Sequence, residues 1–109
     1  MRLRGAKGLP SKYGNQRVGG YDSKRELKRA TELTLLAKAG EIRDLQEQVR
    51  FELIPKQDGE RATHYVADFV YTDKNGQRVV EDSKGHRTQV YNIKRKLMLQ
   101  VHGIRILET

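Results

Sequence analysis

Residues 64–85 read His64-Tyr-Val-Ala-Asp68-Phe-Val-Tyr-Thr72, then Asp73-Lys-Asn-Gly-Gln77, then Arg78-Val-Val-Glu-Asp82-Ser-Lys84-Gly85. The two outer segments are rich in Val, Tyr, Phe and Thr, and the middle segment contains Asn-Gly, so the stretch predicts a β-hairpin. Its loop could have two residues, Asn75 and Gly76, or three. We favour three residues, because Asp73 then opens a type I turn and Gly76 takes the left-handed position.

The favoured register places Asp68 directly opposite Asp82, and Lys84 projects from the same face two residues along. Side chains opposed in this way lie about 5 Å apart at Cβ, so two carboxylates repel unless one is protonated or a cation lies between them. A divalent metal with oxygen ligands is the natural cation. Two alternatives remain. Asp68, Asp82 and Lys84 could form a salt-bridged trio on a solvated face, or a two-residue loop could place Asp68 beside Glu81 and Ser83.

The remaining segments predict a single small α/β domain of order α-β-β-β-α-β with a mixed sheet. A helix follows Ser23 and ends before Gly40, a strand covers 48–54, a second helix covers about 88–102, and a short strand covers 104–108. A right-handed crossover makes the last strand parallel to the second strand of the hairpin. The stripes expected to pack on the sheet are Leu27, Ala30, Leu33, Leu36 and Ala37 in the first helix, and Val90, Ile93, Leu97 and Val101 in the second.

Glu26 has two interpretations. Ser23-Lys-Arg-Glu26 has the spacing of a capping box, in which the glutamate stabilises the amino end of the helix. Glu26 also stands four residues before Ala30, at the edge of the buried stripe, and could therefore contribute to a metal site on the sheet. The sequence leaves both interpretations open.

The composition favours a polyanionic partner. Lys and Arg number 22 against 14 Asp and Glu, which gives a formal charge of +8, and nucleic acid is the usual partner of such a basic chain. Residues 1–22 are expected to form a flexible basic arm beside a domain over 23–109, although a solvated tail without a role explains the arm equally well. No apolar run is long enough for a membrane span, and the lack of cysteine fits a cytoplasmic location.

Several motifs together resemble a known superfamily. They are Asp22-Ser-Lys-Arg-Glu26, Gly40-Glu-Ile-Arg-Asp44, Phe51-Glu-Leu-Ile-Pro55, Tyr65-Val-Ala-Asp-Phe69, Val80-Glu-Asp-Ser-Lys-Gly85 and Tyr91-Asn-Ile-Lys-Arg-Lys-Leu97. In this order they resemble the PD-(D/E)xK nucleases, and within them a family of small phage-encoded proteins regarded as candidate endodeoxyribonucleases. The resemblance spans roughly residues 11–108 and implies a restriction-endonuclease-like core.

The resemblance implies a role for four residues of this sequence. Asp68 and Asp82 would bind Mg²⁺ or Mn²⁺, Lys84 would be the catalytic lysine, and Glu26 would be the outlying acid of the first helix. Glu81, beside Asp82, leaves open which carboxylate reaches the ion. Residues expected to contact nucleic acid are Arg17, Lys24, His86, Arg87, Thr88 and Lys94.

The expected function is therefore a metal-dependent endodeoxyribonuclease acting on DNA, in the host cytoplasm if the protein is phage-encoded. Branched recombination or replication intermediates are a possible substrate, which would require a homodimer. The first alternative is a non-catalytic nucleic-acid-binding module that keeps the nuclease fold. The second is a regulatory protein that binds the acidic surface of a partner.

Overall fold

The computed structural model describes residues 23–109. Its elements are α1 (Lys24–Lys38), β1 (Arg43–Ile54), β2 (Thr63–Thr72), β3 (Arg78–Asp82), α2 (Gln89–His102) and β4 (Leu107–Glu108). This is the expected α-β-β-β-α-β order. The predicted basic arm over 1–22, with Arg17, lies outside the described residues. Neither α1 nor α2, the two helices of residues 23–109, has the length and apolar character that a membrane-spanning helix requires.

The four strands of the described part of the chain form one mixed sheet in the order β1-β2-β3-β4. β1 pairs with β2 and β2 with β3 in antiparallel fashion, whereas β4 runs parallel to β3 as predicted. β1 begins at Arg43, before the predicted start, and β4 is shorter than the predicted 104–108. Beyond β4 the Thr109 N–H donates to the Asp82 carbonyl at 3.0 Å, and the Thr109 carbonyl accepts from the Lys84 N–H at 3.1 Å. The end of the chain therefore fixes the backbone over 82–84.

The turn between β2 and β3 has the predicted three-residue form. Gly76 has a φ of 79°, and its N–H donates to the Asp73 carbonyl at 3.0 Å. The Asp73 side chain also accepts from the N–H groups of Asn75 and Gln77, both at 2.9 Å. The observed pairs are Phe69 with Glu81, Val70 with Val80, Tyr71 with Val79 and Thr72 with Arg78. One further step along this register brings the positions of Asp68 and Asp82 opposite each other, as predicted.

α1 begins as predicted and packs with part of its predicted stripe. The Ser23 side chain accepts from the Glu26 N–H at 3.1 Å and so caps the helix. Ala30 and Leu33 are buried, but Leu36 is 36% exposed, so the prediction for that residue was wrong. Leu36 faces away from the sheet, because the side of α1 that contacts the sheet is narrower than the spacing of the leucines suggests.

α2 packs with only a small part of the predicted stripe: Leu97 is partly buried against the core, whereas the prediction was wrong for Val90, Ile93 and Val101, which are exposed. Val90 is 62% exposed and Ile93 57% exposed, whereas Tyr91 and Met98 are buried. Tyr91 and Met98 lie seven residues apart and therefore on one side of the helix. Tyr91 and Met98 join the core on this side, with Leu97 packed against it. The apolar period alone could not select this side over the predicted stripe.

The core consists of two clusters of buried residues, one associated with each helix. The cluster that includes residues of α2 contains Phe51, Leu53, Tyr65, Ala67, Val70, Val80, Tyr91, Met98 and Ile106. The cluster that includes residues of α1 contains Ala30, Leu33, Ile42, Phe69 and Tyr71. Adjacent residues of a strand point to opposite faces, so Phe69 and Val70 place the two helices on opposite sides of the sheet.

The strand alternation is interrupted at the level of Asp68. Ala67 belongs to the α2 cluster and Phe69 to the α1 cluster, although residues two apart normally share a face. The pairing with β1 continues there without an inserted residue, from Glu47 opposite Phe69 to Val49 opposite Ala67. Between these two pairs, Gln48 has a φ of 57°, in the left-handed region. A local change in backbone conformation therefore surrounds Asp68.

Candidate active site

Asp82 lies at the buried end of β3 and is only 4% exposed. The Tyr65 hydroxyl donates to its Oδ2 at 2.6 Å, and the Lys84 Nζ lies 3.5 Å from its Oδ1. Burial, followed by the Asp82 charge, raises the pKa of Tyr65 far above its ordinary value, so the phenol remains a hydrogen-bond donor. The Asp82 carboxylate is thus oriented by one neutral donor and approached by one ammonium group.

Asp68 lies beside Asp82, as the register predicted. Its Oδ2 accepts from the Ser83 N–H at 3.0 Å, and its Oδ1 is 3.5 Å from the Gln48 Nε2. Burial raises the pKa of Asp68 to about 7, with further increases from the charges of Asp82 and Glu26. The interpretation of a trio on a solvated face does not fit this geometry, because the acids lie mostly within the protein.

Glu26 extends from α1 toward the same acids and is only 4% exposed. Its backbone N–H makes the capping bond to Ser23, while its side-chain Oε2 accepts from the Gln48 Nε2 at 3.1 Å. Its charge contributes to the raised pKa of Asp68. The bond to Ser23 comes from the backbone of Glu26, as it could from any residue at this position, whereas the carboxylate contacts Gln48 next to Asp68 and so fits the interpretation as a site residue. We use "acidic cluster" for Glu26, Asp68 and Asp82.

Lys84 stands between the acidic cluster and α2. Its Nζ lies 4.4 Å from the centre of the Tyr91 ring, within the range of a cation–π contact, and 3.5 Å from Asp82. The Tyr91 hydroxyl donates to Glu108 at 2.6 Å, which fixes the ring. The ammonium is therefore held next to a carboxylate without being fully enclosed.

Gln48 is a residue of this site that the sequence reasoning missed. Its Nε2 contacts both Glu26 and Asp68, and its Oε1 is buried without a hydrogen-bond partner in the described residues. A left-handed backbone at a non-glycine residue costs roughly 1–3 kcal/mol and is often found at functional sites. In the sequence Gln48 is only a polar residue at the start of a strand. Gln48 could have been assigned to the site only with knowledge of the β1–β2 register, which places it opposite Asp68.

Glu81 is held on the other face of β3, away from Asp82. It is fully buried, and Arg29 donates to both of its oxygens at 2.8 Å. Further donors are the hydroxyls of Tyr71 and Thr109. Burial alone would raise the pKa of Glu81, but the bonds from Arg29 and Tyr71 outweigh it and lower the pKa. The structure therefore brings Asp82, and not Glu81, to the acidic cluster.

The acidic cluster has the donor chemistry that a hard divalent cation requires. Among residues 23–109, no three His, Asp or Glu side chains form a ready-made metal-binding group. However, Asp68 lies close enough to Asp82 for the Asp82 charge to contribute to the raised pKa of Asp68, and the Gln48 Oε1 nearby is a neutral oxygen without a partner in the described residues. Mg²⁺ needs only one or two carboxylates and retains several waters. The residues present therefore fit this ion, with Asp68 and Asp82 as its protein ligands.

The residues predicted to contact nucleic acid are dispersed. Thr88 caps α2 by accepting from the Tyr91 N–H at 3.0 Å, and Arg87 forms an ion pair with Glu108. Lys24 and His86 are exposed. Lys94 lies on the wall of an open groove, and Arg17 is outside the described residues.

The fold and the site together define a small α/β domain with a mixed sheet, on which a buried acidic cluster stands next to a lysine. The chain belongs to the family described as "protein of unknown function (DUF1064)", which matches residues 10–105. Comparison with curated proteins gave no match. Comparison with solved structures also gave none.

Proposed function

We propose that this protein is a metal-dependent endonuclease that hydrolyses phosphodiester bonds of DNA. The observation that carries the proposal is the placement of the partly buried Asp68 beside the buried Asp82, with the Lys84 ammonium next to Asp82. A carboxylate with a shifted pKa, such as Asp68, close to a lysine is typical of catalytic sites. The sequence motifs that resemble PD-(D/E)xK nucleases support the same assignment.

Each residue of the site would have a defined task in this reaction. A bound Mg²⁺ or Mn²⁺ supplies an acidic water and neutralises charge on the phosphate. Asp68 and Asp82 would hold the ion, while the Ser83 N–H and the Tyr65 hydroxyl keep the two carboxylates in position. Lys84 would place its positive charge beside a phosphate oxygen or the attacking water.

More specifically, we propose that a homodimer acts on branched recombination or replication intermediates. Two copies related by a two-fold axis would present two equivalent sites, one to each of two strands.

The alternative function is a non-catalytic nucleic-acid-binding module. It is supported by the formal charge of +8, which suits a polyanionic partner without requiring catalysis.

The test is cleavage of supercoiled plasmid, linear duplex and a four-way junction with Mg²⁺ or Mn²⁺. Asp82→Asn keeps an acceptor for Tyr65 but removes the charge, and Lys84→Met keeps most of the side-chain volume. We expect both variants to lose cleavage by at least about 100-fold while DNA binding is retained. Matched controls are Glu47→Gln and Lys96→Met, which change exposed residues in the same way. Wild-type protein that binds these substrates and never cuts them would support the binding module instead.

A further inference from the structure

An open basic groove lies between the β1–β2 hairpin end and α2. Its volume is about 870 Å³. The charged and titratable residues that line it are Arg50, Lys56, Glu60, Arg61, His64 and Lys94. We call it the basic groove. Its four cations outnumber its single acid, Glu60, so the lining has a net positive charge.

Three cations of the basic groove differ in their ion pairing from other cations in the described part of the chain. Within residues 23–109, Arg50, Arg61 and Lys94 have no carboxylate at ion-pair distance, whereas Arg29 and Arg87 are each paired with a glutamate. An unpaired cation keeps its full attraction for an external anion. The groove can therefore bind a polyanion without first breaking internal ion pairs.

The groove adjoins the acidic cluster along the sheet. Arg50 pairs with Val66 across β1 and β2, and both residues line the groove. Gln48 and Asp68 stand two residues further along the same strands, which corresponds to about 7 Å. A chain of phosphates lying in the groove would thus lead directly to the site at which we propose cleavage.

The lining distinguishes between double-stranded and single-stranded partners. Proteins that bind single strands without sequence preference stack bases on aromatic side chains. No Phe, Tyr or Trp lines the groove in the described part of the chain. Lysine and arginine without stacking rings suit the phosphate backbone of a duplex.

We propose that the basic groove binds the phosphate backbone of duplex DNA on one side of the scissile bond. The position relative to the scissile bond rests on the proposed function, but the binding itself does not. Arg50, Arg61 and Lys94 make the phosphate contacts, and they fix the register of the duplex without reading its sequence.

The experiment compares two triple variants of equal charge change by fluorescence anisotropy. One carries Arg50→Gln, Arg61→Gln and Lys94→Gln. The matched control carries Lys38→Gln, Arg43→Gln and Lys74→Gln, which lie at the other end of the sheet. Labelled duplex and single-stranded oligonucleotides are titrated in a salt series with EDTA, so that no cleavage occurs.

Loss of three phosphate contacts should reduce the slope of log K against log salt by about 2.7. Wild type should then lose about 40-fold more duplex affinity than the groove variant between about 50 and about 200 mM salt. The control variant should keep the wild-type slope. A groove variant that binds duplex like wild type overturns the proposal, as does an equal loss for both triples. Equal weakening of duplex and single-strand binding overturns the choice of duplex.

Cleavage by the wild-type protein and duplex binding by the groove variant together separate this inference from the proposed function. If the wild-type protein never cuts DNA but the groove variant still loses duplex binding, the proposed function fails and the groove assignment stands. If the wild type cuts DNA and the groove variant binds as the wild type does, the proposed function stands and the groove assignment fails.

Discussion

Replacing Asp68 with asparagine should stabilise the metal-free protein at neutral and alkaline pH. Asp68 is partly buried beside two other acids, and its pKa is raised from 3.8 to about 7. An asparagine of the same shape can still accept the bond from the Ser83 N–H, which is 3.0 Å from Asp68. The substitution therefore removes the charge and retains most of the geometry.

The size of the effect follows from proton linkage. A carboxyl whose pKa is higher in the folded than in the unfolded protein binds more protons in the folded state between the two values. The free energy of unfolding therefore falls as the pH rises from about 4 to about 7, and is flat above that. A difference of about three pH units, at about 1.4 kcal/mol each, corresponds to up to about 4 kcal/mol.

Urea unfolding in EDTA over about pH 5 to 8 measures this effect for wild type and Asp68→Asn. We expect the stability advantage of the variant to grow as the pH approaches 7, since only the wild type must ionise a buried acid. Asp58→Asn is the matched control, because Asp58 is exposed at the end of the β1–β2 hairpin. Excess Mg²⁺ at about pH 8 should stabilise the wild type and leave Asp68→Asn unchanged.

Two results would refute this reasoning. One is a stability difference between wild type and Asp68→Asn that does not change with pH. The other is an Asp68→Asn protein that is less stable than wild type at every pH, which would mean that the carboxylate is stabilised where it lies.

Three further predictions concern residues around the site. Gln48→Met should lower activity or apparent Mg²⁺ affinity by roughly 10- to 100-fold in cleavage assays, because it removes the amide that contacts two acids; an unchanged Mg²⁺ dependence would contradict it. Glu81→Gln should lower the free energy of unfolding by about 3 kcal/mol near neutral pH, since Arg29 loses its charged partner. The lowered pKa of Glu81 means that this difference should disappear in urea unfolding as the pH falls through that pKa. Met98→Ala should cost about 2–5 kcal/mol by the same method, since Met98 is fully buried, and a cost below about 1 kcal/mol would show a loosely packed α2.

The hairpin register was predictable because its determinants are local. Asp73 and Gly76 specify a three-residue turn by their own conformational preferences, and the turn then fixes every pair along β2 and β3. The opposition of Asp68 and Asp82 follows from that geometry. The order of the helices and strands could likewise be predicted from the lengths of the periodic segments. The parallel pairing of β4 with β3 followed from the handedness of crossovers.

The missed features depend on contacts between distant segments. The buried face of α2 is selected by the fit of Tyr91 and Met98 to the sheet, which no helical period reveals. Gln48 enters the site through its register with β2 and an unusual backbone angle. Glu81 and Asp82 are neighbours of equal chemistry in the sequence, and only the partners on each face of β3 distinguish them.

The two faces of β3 differ in charge balance, and this difference bears on the proposed function. On one face Glu81 has Arg29 and two hydroxyl groups as donors, so its charge is neutralised within the protein. On the other face Asp68 and Asp82 lie beside each other, and the Lys84 ammonium is 3.5 Å from Asp82. The same fold that neutralises Glu81 internally leaves Asp68 next to a second carboxylate, and a proton or an external cation at Asp68 relieves that repulsion, as the proposed metal site requires.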